Sequence, residues 1–377
     1  MTVDPLVAIA VARQASDIHL RAHQFPLIRV HGTLERLTTF PLVSHEDIEG
    51  AARQLLTADQ MEKLTRRQEV DAALVFEGLG RCRASVFRQK GTLAISLRLI
   101  PSNPPKLEDL GLPASVLALV HESRGLVLIT GATGSGKSTT LAALVAEINK
   151  TRSMHILTIE DPIEFIHEDI MAVISQREVG LDVESYPRGL LSALRQDPDV
   201  ILLGELRDPE TIETALVAAE TGHLVLSTLH TNDAPSTINR LLNMGIEPFL
   251  VASSINIVVA QRLARRICDA CKERLDVSPE VLVNIGVPAA EAMHTEIYYG
   301  TGCPKCSGTG YKGRIALYEC MAMTDTLKEF VLNGASAAEI KREAIKQGMA
   351  SLRASGIKAL KGGITTVEEV LRVTAAD

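Results

Sequence analysis

The sequence has no tryptophan and few aromatic residues of any kind. Of its 377 residues, 5 are Tyr and 7 are Phe. Proteins that bind single-stranded nucleic acid usually stack bases on aromatic side chains inside a positively charged groove. This chain has 39 Lys and Arg against 46 Asp and Glu, a formal net charge of −7. That balance is the opposite of the basic surface that a phosphate backbone requires, so we expect no direct nucleic-acid partner.

Long hydrophobic runs are also missing. A membrane-spanning helix needs roughly 18 or more apolar residues, whereas the longest candidates here are short runs such as SVLALV and INIVVA. The first segment, MTVDPLVAIAVARQASD, carries Asp4 where a secretory signal would carry Lys or Arg. We interpret it as an ordinary first helix. The sequence therefore predicts a cytoplasmic protein that reaches any membrane through partners.

Two kinds of apolar pattern divide the chain. Up to about residue 100, apolar and polar residues alternate as in half-buried strands. The alternating positions include Val86, Ala94, Ile95 and Leu97. From residue 125 the apolar runs are continuous, which is typical of parallel strands covered on both faces. These runs are GLVLIT, HILTIE, DVILLGE and HLVLSTLH. The proline-rich segment PSNPPKLEDLGLP predicts a linker near residues 101–112.

A glycine-rich loop follows the first continuous run. It reads GATGSGKS, directly after GLVLIT and before the helical TTLAALVAEINK. Its glycines let backbone N–H groups point at a phosphate, at the positive end of the next helix. We expect Lys137 to reach the β- and γ-phosphates of ATP and the Ser138 hydroxyl to bind Mg²⁺. The predicted nucleotide-binding residues are Gly131, Thr133, Gly134, Ser135, Gly136, Lys137, Ser138 and Thr139.

Two other continuous runs end in carboxylates. DVILLGE ends in Glu205, our candidate general base, because an acid at the carboxyl end of a parallel strand beside the phosphates can deprotonate the attacking water. HILTIE ends in Glu160, next to Asp161, and two acidic strand ends beside one phosphate site suit Mg²⁺ and water positioning. The alternative is that Glu205 and Asp208 only cap the following helix.

Two histidines bracket the run ETGHLVLSTLHTND. His223 begins the predicted strand and His230 ends it. Ligands collect at the carboxyl ends of the strands in such sheets, which makes His230 the better functional candidate. A satisfied turn or core histidine is the alternative for both.

Taken in order, these segments resemble the Walker A, Asp box, Walker B and His box of the type II secretion and type IV pilus assembly ATPases. The four segments are GATGSGKST, TIEDPIEF, LRQDPDVILLGELRD and TGHLVLSTLHTNDA. The resemblance extends to ASDIHL and GYKGRIALYE and so covers nearly the whole chain. It implies an α/β fold with a RecA-like P-loop domain, a smaller N-terminal α/β (PAS-like) domain, a zinc-binding insert and a helical C-terminal segment. The predicted domain boundaries along the chain are 1–104 for the N-terminal domain, 105–267 for the P-loop domain, 268–316 for the zinc-binding insert and 317–377 for the C-terminal segment.

The resemblance also implies roles for individual residues. Glu160 would assist metal or water placement, Glu205 would activate water, and His230 would sense or stabilise the γ-phosphate. Arginines of the N-terminal domain act at the nucleotide in this family, and Arg83 and Arg98 occupy the matching segment. Charge on the transferred phosphoryl group needs a cation beyond the P-loop. The alternative is that both arginines lie on a solvated strand face.

One position departs from the family pattern. Relatives commonly carry a second arginine four residues before the one equivalent to Arg195, where this chain has Leu191. Arg195 is therefore expected to serve the interface between subunits without a second arginine.

Four of the six cysteines form two pairs, Cys268-x-x-Cys271 and Cys303-x-x-Cys306, with 31 residues between the pairs. Four thiolates in a closed tetrahedral set suit a structural Zn²⁺; buried thiols or a labile disulfide are the alternatives. Cys82 and Cys320 have no partner pattern and are interpreted as core or edge residues. The resemblance adds that this tetracysteine insert is typical of secretion and pilus-extension ATPases and absent from retraction ATPases.

By resemblance, the assembly is a homo-hexamer with active sites between subunits. It would act on an inner-membrane platform protein and on membrane-anchored secretion or pilus components, as a cytoplasmic enzyme held at the inner membrane by those partners. Relatives of the secretion branch usually carry a further N-terminal docking domain, which is expected to be missing here because the chain begins almost at ASDIHL.

Two other classes of function also combine a P-loop with further motifs. A nucleic-acid translocase would show a basic face with aromatic residues. A small-molecule phosphotransferase would need an acceptor pocket and has no reason to contain four boxes in this order. An ATPase assay with and without DNA or candidate acceptors separates the three.

Overall fold

The computed structural model of the chain describes residues 2–30, 33–67, 69–100 and 104–374. These residues divide into two compact units, one made of 1–103 with 164–167 and one made of 104–163 with 168–377. Residues 101–103 of the predicted linker lie outside the described residues. The rest of that linker contains a short 3₁₀ turn at Leu107–Leu110.

The first unit is an antiparallel sheet with helices. Its strands are β1 (Ala15–Arg21), β2 (Leu27–Val30), β3 (Thr33–Arg36), β4 (Glu69–Phe76), β5 (Gly80–Gln89) and β6 (Thr92–Ile100), in the order β3-β2-β1-β6-β5-β4. Its helices are α1 (Asp4–Ala12), α2 (His45–Leu55) and α3 (Ala58–Arg67). The first segment of the chain thus forms a helix, as predicted.

The alternating pattern decides which face of this sheet is buried. Val86 of β5 and Ile95 and Leu97 of β6 are buried in one apolar cluster with α1 and α2, because successive side chains of a strand point to opposite faces. Arg83 and Arg98 have the opposite parity, so they lie on the other face, as cross-strand partners. Cys82 is buried in the cluster, as expected of a core residue.

The second unit is built on a larger sheet with helices on both sides. Its strands are β7 (Gly125–Thr130), β8 (His155–Glu160), β9 (Val173–Glu178), β10 (Val200–Leu203), β11 (Leu224–Leu229), β12 (Ile255–Ile267), β13 (Lys272–Leu275), β14 (Ile297–Gly300) and β15 (Tyr311–Ala322). Its helices are α4 (Ala114–Leu117), α5 (Lys137–Thr151), α6 (Tyr186–Ala193), α7 (Pro209–Glu220), α8 (Ala234–Asn243), α9 (Pro248–Ser254), α10 (Pro279–Asn284), α11 (Ala289–Ala292), α12 (Asp325–Leu332), α13 (Ala337–Lys346), α14 (Leu352–Lys361) and α15 (Val367–Val373).

The seven-stranded sheet has the order β15-β12-β7-β11-β10-β8-β9. The six strands from β12 to β9 are parallel, and β15 joins the edge antiparallel to β12. Every residue of β7, β10 and β11 is buried, with one apolar cluster on each face of the sheet. The predicted continuous runs are therefore parallel strands covered on both faces, and the predicted α/β fold class is confirmed.

In the described parts of the chain, no helix is long and apolar enough to cross a membrane. The longest helix there, α5, has 15 residues, whereas a spanning helix needs about 20.

The cysteine-containing segment shares a core with the C-terminal helices. Its short strands β13 and β14 pair antiparallel. Apolar side chains of these strands and of α10 and α11 pack against α14 and α15. The buried members of this cluster are Leu282, Ile285, Val287, Ala292, Ile297, Ile357, Leu360, Val367 and Val370. The segment therefore has an apolar core in addition to its cysteines.

A buried carboxylate connects β12 to the last helix. Glu369 of α15 has a fully buried side chain and accepts hydrogen bonds from the guanidinium groups of Arg265 (2.8 Å) and Arg372 (2.7 Å) and from the Arg265 backbone N–H (2.7 Å). Burial acts to raise its pKa, but these donors outweigh that effect and lower the pKa of Glu369 to about 2. The ion cluster thus stabilises the folded state when Glu369 is ionised.

Replacing Glu369 with Ala should lower the free energy of unfolding by about 2 kcal/mol at pH 7. Breaking a buried pair costs about 3–5 kcal/mol, and here the two arginines are half exposed and can be hydrated. Because the folded pKa of Glu369 lies below its unfolded value, the difference between the two proteins should be full above about pH 5 and shrink as the pH falls from 4.5 towards 2. Urea unfolding of both proteins across this pH range measures the difference in their free energies of unfolding.

The exposed neighbour Glu368 provides a matched control. Glu368→Ala should change the free energy of unfolding by less than about 0.5 kcal/mol. If Glu369→Ala is as stable as Glu368→Ala at pH 7, the cluster does not stabilise the fold.

Candidate functional site

The glycine-rich loop connects β7 to α5, as predicted. Gly131, Gly134 and Gly136 have φ angles of 147°, 77° and 89°, a region that side chains with a Cβ rarely adopt. A Cβ on Gly131 would lie 2.5 Å from the backbone oxygen of Gln261, so space as well as conformation requires glycine there. The loop therefore ends with its backbone curled over the N-terminus of α5, at the positive end of that helix.

Lys137 lies buried at the first turn of α5 and points back into the loop. Its ammonium group donates hydrogen bonds to the carbonyl oxygens of Gly131 (2.9 Å) and Ala132 (3.2 Å). Burial lowers its pKa, and the negative charge of Glu205 opposes that shift. The Ser135 hydroxyl is buried without a hydrogen-bond partner among the described residues. A buried cation and an unpartnered hydroxyl within a curled loop fit a bound phosphate group.

A buried glutamine supports the loop from the neighbouring strand. Gln261 of β12 donates a hydrogen bond to the backbone oxygen of Ser135 (2.9 Å) and accepts one from the Thr140 hydroxyl (2.8 Å). The loop and the first turn of α5 are therefore held by one side chain. Ser138 is exposed in the same turn and Thr139 is half-buried.

Glu205 lies just beyond the carboxyl end of β10 and has a mostly buried side chain. One carboxylate oxygen forms an ion pair with Arg207, and the other lies 3.5 Å from Nε2 of His230. His230 follows the end of β11, the neighbouring parallel strand. The helix α7 is instead capped by Asp208, whose carboxylate accepts a hydrogen bond from the Thr211 N–H (2.8 Å). Capping thus accounts for Asp208 and not for Glu205.

Glu160 is the last residue of β8, which pairs with β10. Its carboxylate accepts hydrogen bonds from Thr158 (2.8 Å) and Gln176 (3.3 Å). A Cβ on Gly204 would lie 2.7 Å from the Tyr186 hydroxyl and 3.4 Å from Cα of Glu160. Glycine at position 204 therefore leaves room for the Tyr186 hydroxyl at the end of β10.

Tyr186, the first residue of α6, is buried among these acids. Burial raises the pKa of its hydroxyl, and the negative charges of Glu205 and Asp161 raise it further. The hydroxyl therefore remains protonated and can donate to an oxygen at this edge of the sheet.

The structure does not bring Arg195 to this edge. It is exposed beyond the C-terminal end of α6 and precedes β10, so it lies at the opposite edge of the sheet from Glu205. His223 precedes β11, and its Nδ1 donates a hydrogen bond to the Ala218 carbonyl oxygen (3.0 Å) near the end of α7. That contact gives His223 the structural role expected of a satisfied turn histidine.

The predicted arginines of the first unit form their own charged row. Arg98 donates to the Asp17 carboxylate (3.0 Å), and Arg83 pairs with Asp71 (3.3 Å). Both guanidinium groups remain substantially exposed. The row is thus accessible to an anionic group from outside the unit.

The four paired cysteines converge into one cluster. The Sγ atoms of Cys268 and Cys303 are 3.9 Å apart, those of Cys271 and Cys306 are 3.8 Å apart, and all four lie within 4.8 Å of one another. A tetrahedral zinc site with Zn–S bonds of about 2.3 Å places its sulfur atoms about 3.8 Å apart. All six cysteines are free, and these separations are far longer than the roughly 2.05 Å of a disulfide.

Backbone groups around the cluster favour a thiolate. The N–H groups of Cys303 (3.2 Å) and Gly310 (3.3 Å) donate to Sγ of Cys306. The Cys303 N–H is the main reason that the pKa of Cys306 is lowered to about 6. Burial instead raises the pKa of Cys271 to about 12. The cluster therefore provides four soft ligands with part of their charge already stabilised, which fits Zn²⁺.

Comparison with known proteins decides the family. The family described as type II/IV secretion system protein matches residues 1–372. The chain belongs to this family. The chain is 42% identical to the type IV pilus assembly ATPase PilB of Myxococcus xanthus, over 100% of this chain and 68% of that protein. It is 37% identical to the type II secretion system ATPase E of Vibrio cholerae, over 99% of this chain and 74% of that protein.

A solved structure has the same fold over almost the whole chain. The crystal structure of the pilus retraction motor PilT with bound ADP superposes with a TM-score of 0.82 at 33% identity, covering 99% of this chain and 97% of that one. The relatives are named ATPases, and this type II/IV secretion system protein is likewise an ATPase.

Sequence reasoning about this type II/IV secretion system protein missed several residues of the site. Gln261 and Arg262 follow an apolar run, as the other site residues do, but they match none of the four boxes. The sequence signal that could have revealed them is a polar pair directly after the apolar run INIVVA. Arg207 lies inside the Walker B segment, whereas Tyr186 lies in none of the four segments. Only the ion pair of Arg207 with Glu205 and the closeness of the Tyr186 hydroxyl to Gly204 identify them as residues of the site.

Purified without chelator, this secretion system protein should contain about one zinc per chain, because four thiolates on one cation supply folding energy. Replacing Cys268 and Cys303 together with Ser should remove the metal and increase proteolytic cleavage within residues 268–316. Elemental analysis and limited proteolysis measure the two effects.

Cys320→Ser is the matched control, since Cys320 lies outside the cluster, and it should retain the metal. Well-folded wild-type protein that contains no zinc would rule out the zinc site.

Proposed function

We propose that this chain is the ATP-hydrolysing motor of a type II secretion system or a type IV pilus assembly machine. In a homo-hexameric ring, it would couple hydrolysis to pseudopilus or pilus assembly and to protein export. The observation that carries the proposal is the position of Glu205 between His230 and Arg207, at the same edge of the parallel sheet as the P-loop. That arrangement can bind a nucleoside triphosphate and activate water beside it.

In the proposed mechanism, the P-loop holds the phosphates. The backbone N–H groups of the loop and the Lys137 ammonium bind the β- and γ-phosphates, and Lys137 exchanges its present carbonyl partners for them. Ser138 and the acidic end of β8 would hold Mg²⁺, which neutralises charge on the phosphate oxygens when bound.

Glu205 accepts the proton of the attacking water. Its ion pair with Arg207 keeps the carboxylate oriented just beyond the end of β10. His230, whose Nε2 lies 3.5 Å from that carboxylate, would donate a hydrogen bond to the γ-phosphate. Arg83 and Arg98 supply the additional cations for the transferred phosphoryl group. Arg195, at the opposite edge of the sheet, serves contacts between subunits.

The four-cysteine cluster favours the assembly branch over the retraction branch. A tetracysteine insert is the feature expected of secretion and pilus-extension ATPases, although the fold superposes well on a retraction motor. The partners would be an inner-membrane platform protein and membrane-anchored components of the machine. They would hold the motor at the cytoplasmic side of the inner membrane.

Lys137→Ala and Glu205→Gln should separate binding from chemistry. The first removes the charge that holds the phosphates and should weaken ATP binding. The second removes only water activation, so it should leave binding intact and lower kcat by at least about 100-fold. Titration with a fluorescent ATP analogue and steady-state ATPase assays measure the two effects.

Glu213→Gln, an exposed acid on α7, is the control and should keep normal turnover. If Glu205→Gln hydrolyses ATP at the normal rate, the general base lies elsewhere, with Glu160 as the next candidate.

Mixing two inactive variants tests the proposed ring. If Arg98 reaches the nucleotide of a neighbouring subunit, a ring of Lys137→Ala and Arg98→Ala chains rebuilds intact sites at about a quarter of its contacts under random mixing. ATPase activity should therefore return on mixing and be absent from each variant alone. Arg88→Ala, an exposed arginine on β5, should be active by itself.

Subunit exchange is verified separately with labelled chains. An inactive mixture despite exchange would show that Arg98 acts within its own chain or that hydrolysis requires an all-intact ring. A crosslinked pair with one defined intact site distinguishes these two.

A further inference from the structure

Two polar residues stand in the middle of the long strand β12. β12 pairs in parallel with β7 up to the pair Ala260 and Thr130. Gln261 and Arg262 come next on β12, and the P-loop comes next after β7. Register alone therefore places this pair beside the P-loop.

Arg262 links the strand β12 to a loop that is distant in sequence. One guanidinium nitrogen donates to the Gln261 carbonyl oxygen (3.0 Å) and lies 2.9 Å from the position that a Cβ on Gly131 would occupy. The other donates to the Asn232 carbonyl oxygen (2.8 Å) and side-chain oxygen (3.3 Å). Asn232 lies two residues after His230. The guanidinium thus lies beside the first glycine of the P-loop and is hydrogen-bonded to the loop that carries His230.

The charge around Arg262 is unusual for a structural arginine. Among the described residues, no carboxylate lies within salt-bridge distance of it, and its hydrogen-bond acceptors are neutral carbonyl and amide oxygens. The acids facing it from other elements, Asp233 and Glu319, act from farther away. Arg262 is therefore held by neutral acceptors on β12 and on the His230 loop rather than by a carboxylate.

We propose that Arg262 is a positioning residue of the ATPase: it ties the His230 loop to β12 beside the P-loop, so that His230 is correctly placed only while this bridge is intact. The inference rests on the proposed nucleotide site at the P-loop. The bridge requires the planar guanidinium, because its two outer nitrogens reach acceptors on β12 and on the His230 loop. Arg262 acts through His230 rather than on the reacting atoms.

Arg262→Gln should lower kcat at least about tenfold and change the KM for ATP less than about threefold. The bridge orients a group that acts in the transition state, whereas Lys137 and the loop backbone, which bind the ground state, are unchanged. Steady-state ATPase kinetics of the full chain measure both constants. Arg266→Gln, an exposed arginine on the same strand, is the matched control and should leave both constants unchanged.

A double variant tests whether Arg262 acts through His230. In a His230→Ala background, Arg262→Gln should lower kcat by less than about twofold further, because the loop that it positions no longer carries the functional group. Multiplicative losses would overturn the proposal, as would a His230→Ala variant with wild-type kcat.

Arg262→Lys keeps the charge and loses the two-pronged bridge. It should fold and show a kcat between those of wild type and Arg262→Gln, with an unchanged KM. Wild-type kcat in this variant would overturn the proposal even if Arg262→Gln failed to fold. A raised KM with normal kcat in either variant would show that Arg262 binds the nucleotide directly and would also overturn it.

Failure of the proposed nucleotide site has a different signature. In that case Lys137→Ala would bind the fluorescent ATP analogue normally. The proposal about Arg262 is contradicted instead when Lys137→Ala loses binding and the Arg262 variants behave like Arg266→Gln.

Discussion

The parallel register of β12, β7, β11, β10 and β8 is the constraint on which the site depends. Parallel strands end at a common edge, so each strand delivers its next residues to the same place. The P-loop, the His230 loop and the acids Glu160 and Glu205 all follow the carboxyl ends of such strands. Side chains of the central strands pack into a different apolar cluster on each face of the sheet, so a one-residue shift would move every one of them into the opposite cluster.

Close packing of the strand ends requires small residues as well as charged ones. Gly131 has the backbone of β12 against it, and Gly204 has the Tyr186 hydroxyl against it. In both places a Cβ would occupy space that is already filled. The negative charge of Glu205, at the same edge of the sheet, opposes the lowering of the Lys137 pKa that burial causes.

The site is also connected to the rest of the second unit through β12 and β15. The strand β12 ends at Ile267, and the next residue is Cys268 of the four-cysteine cluster. On β15, the buried Glu319 accepts hydrogen bonds from the backbone N–H groups of Ala234 (2.8 Å) and Leu352 (3.2 Å), at the starts of α8 and α14. A buried carboxylate satisfying two helix N-termini ties the helix after the His230 loop to the C-terminal helices.

Local patterns in the sequence were enough to predict the P-loop, the parallel strands and their acidic ends, and the cysteine pairs. Each depends on a few neighbouring residues: glycines with positive φ, continuous apolar runs, or two thiols three positions apart. Only the tertiary structure placed Gln261 against Ser135, 126 residues away, put Arg195 at the far edge of the sheet, and gave the cysteine-containing segment a shared core with α14 and α15. These contacts depend on which strands become neighbours and on how side chains fill the space between layers. The packing of the whole sheet decides both, and no short stretch of sequence records them.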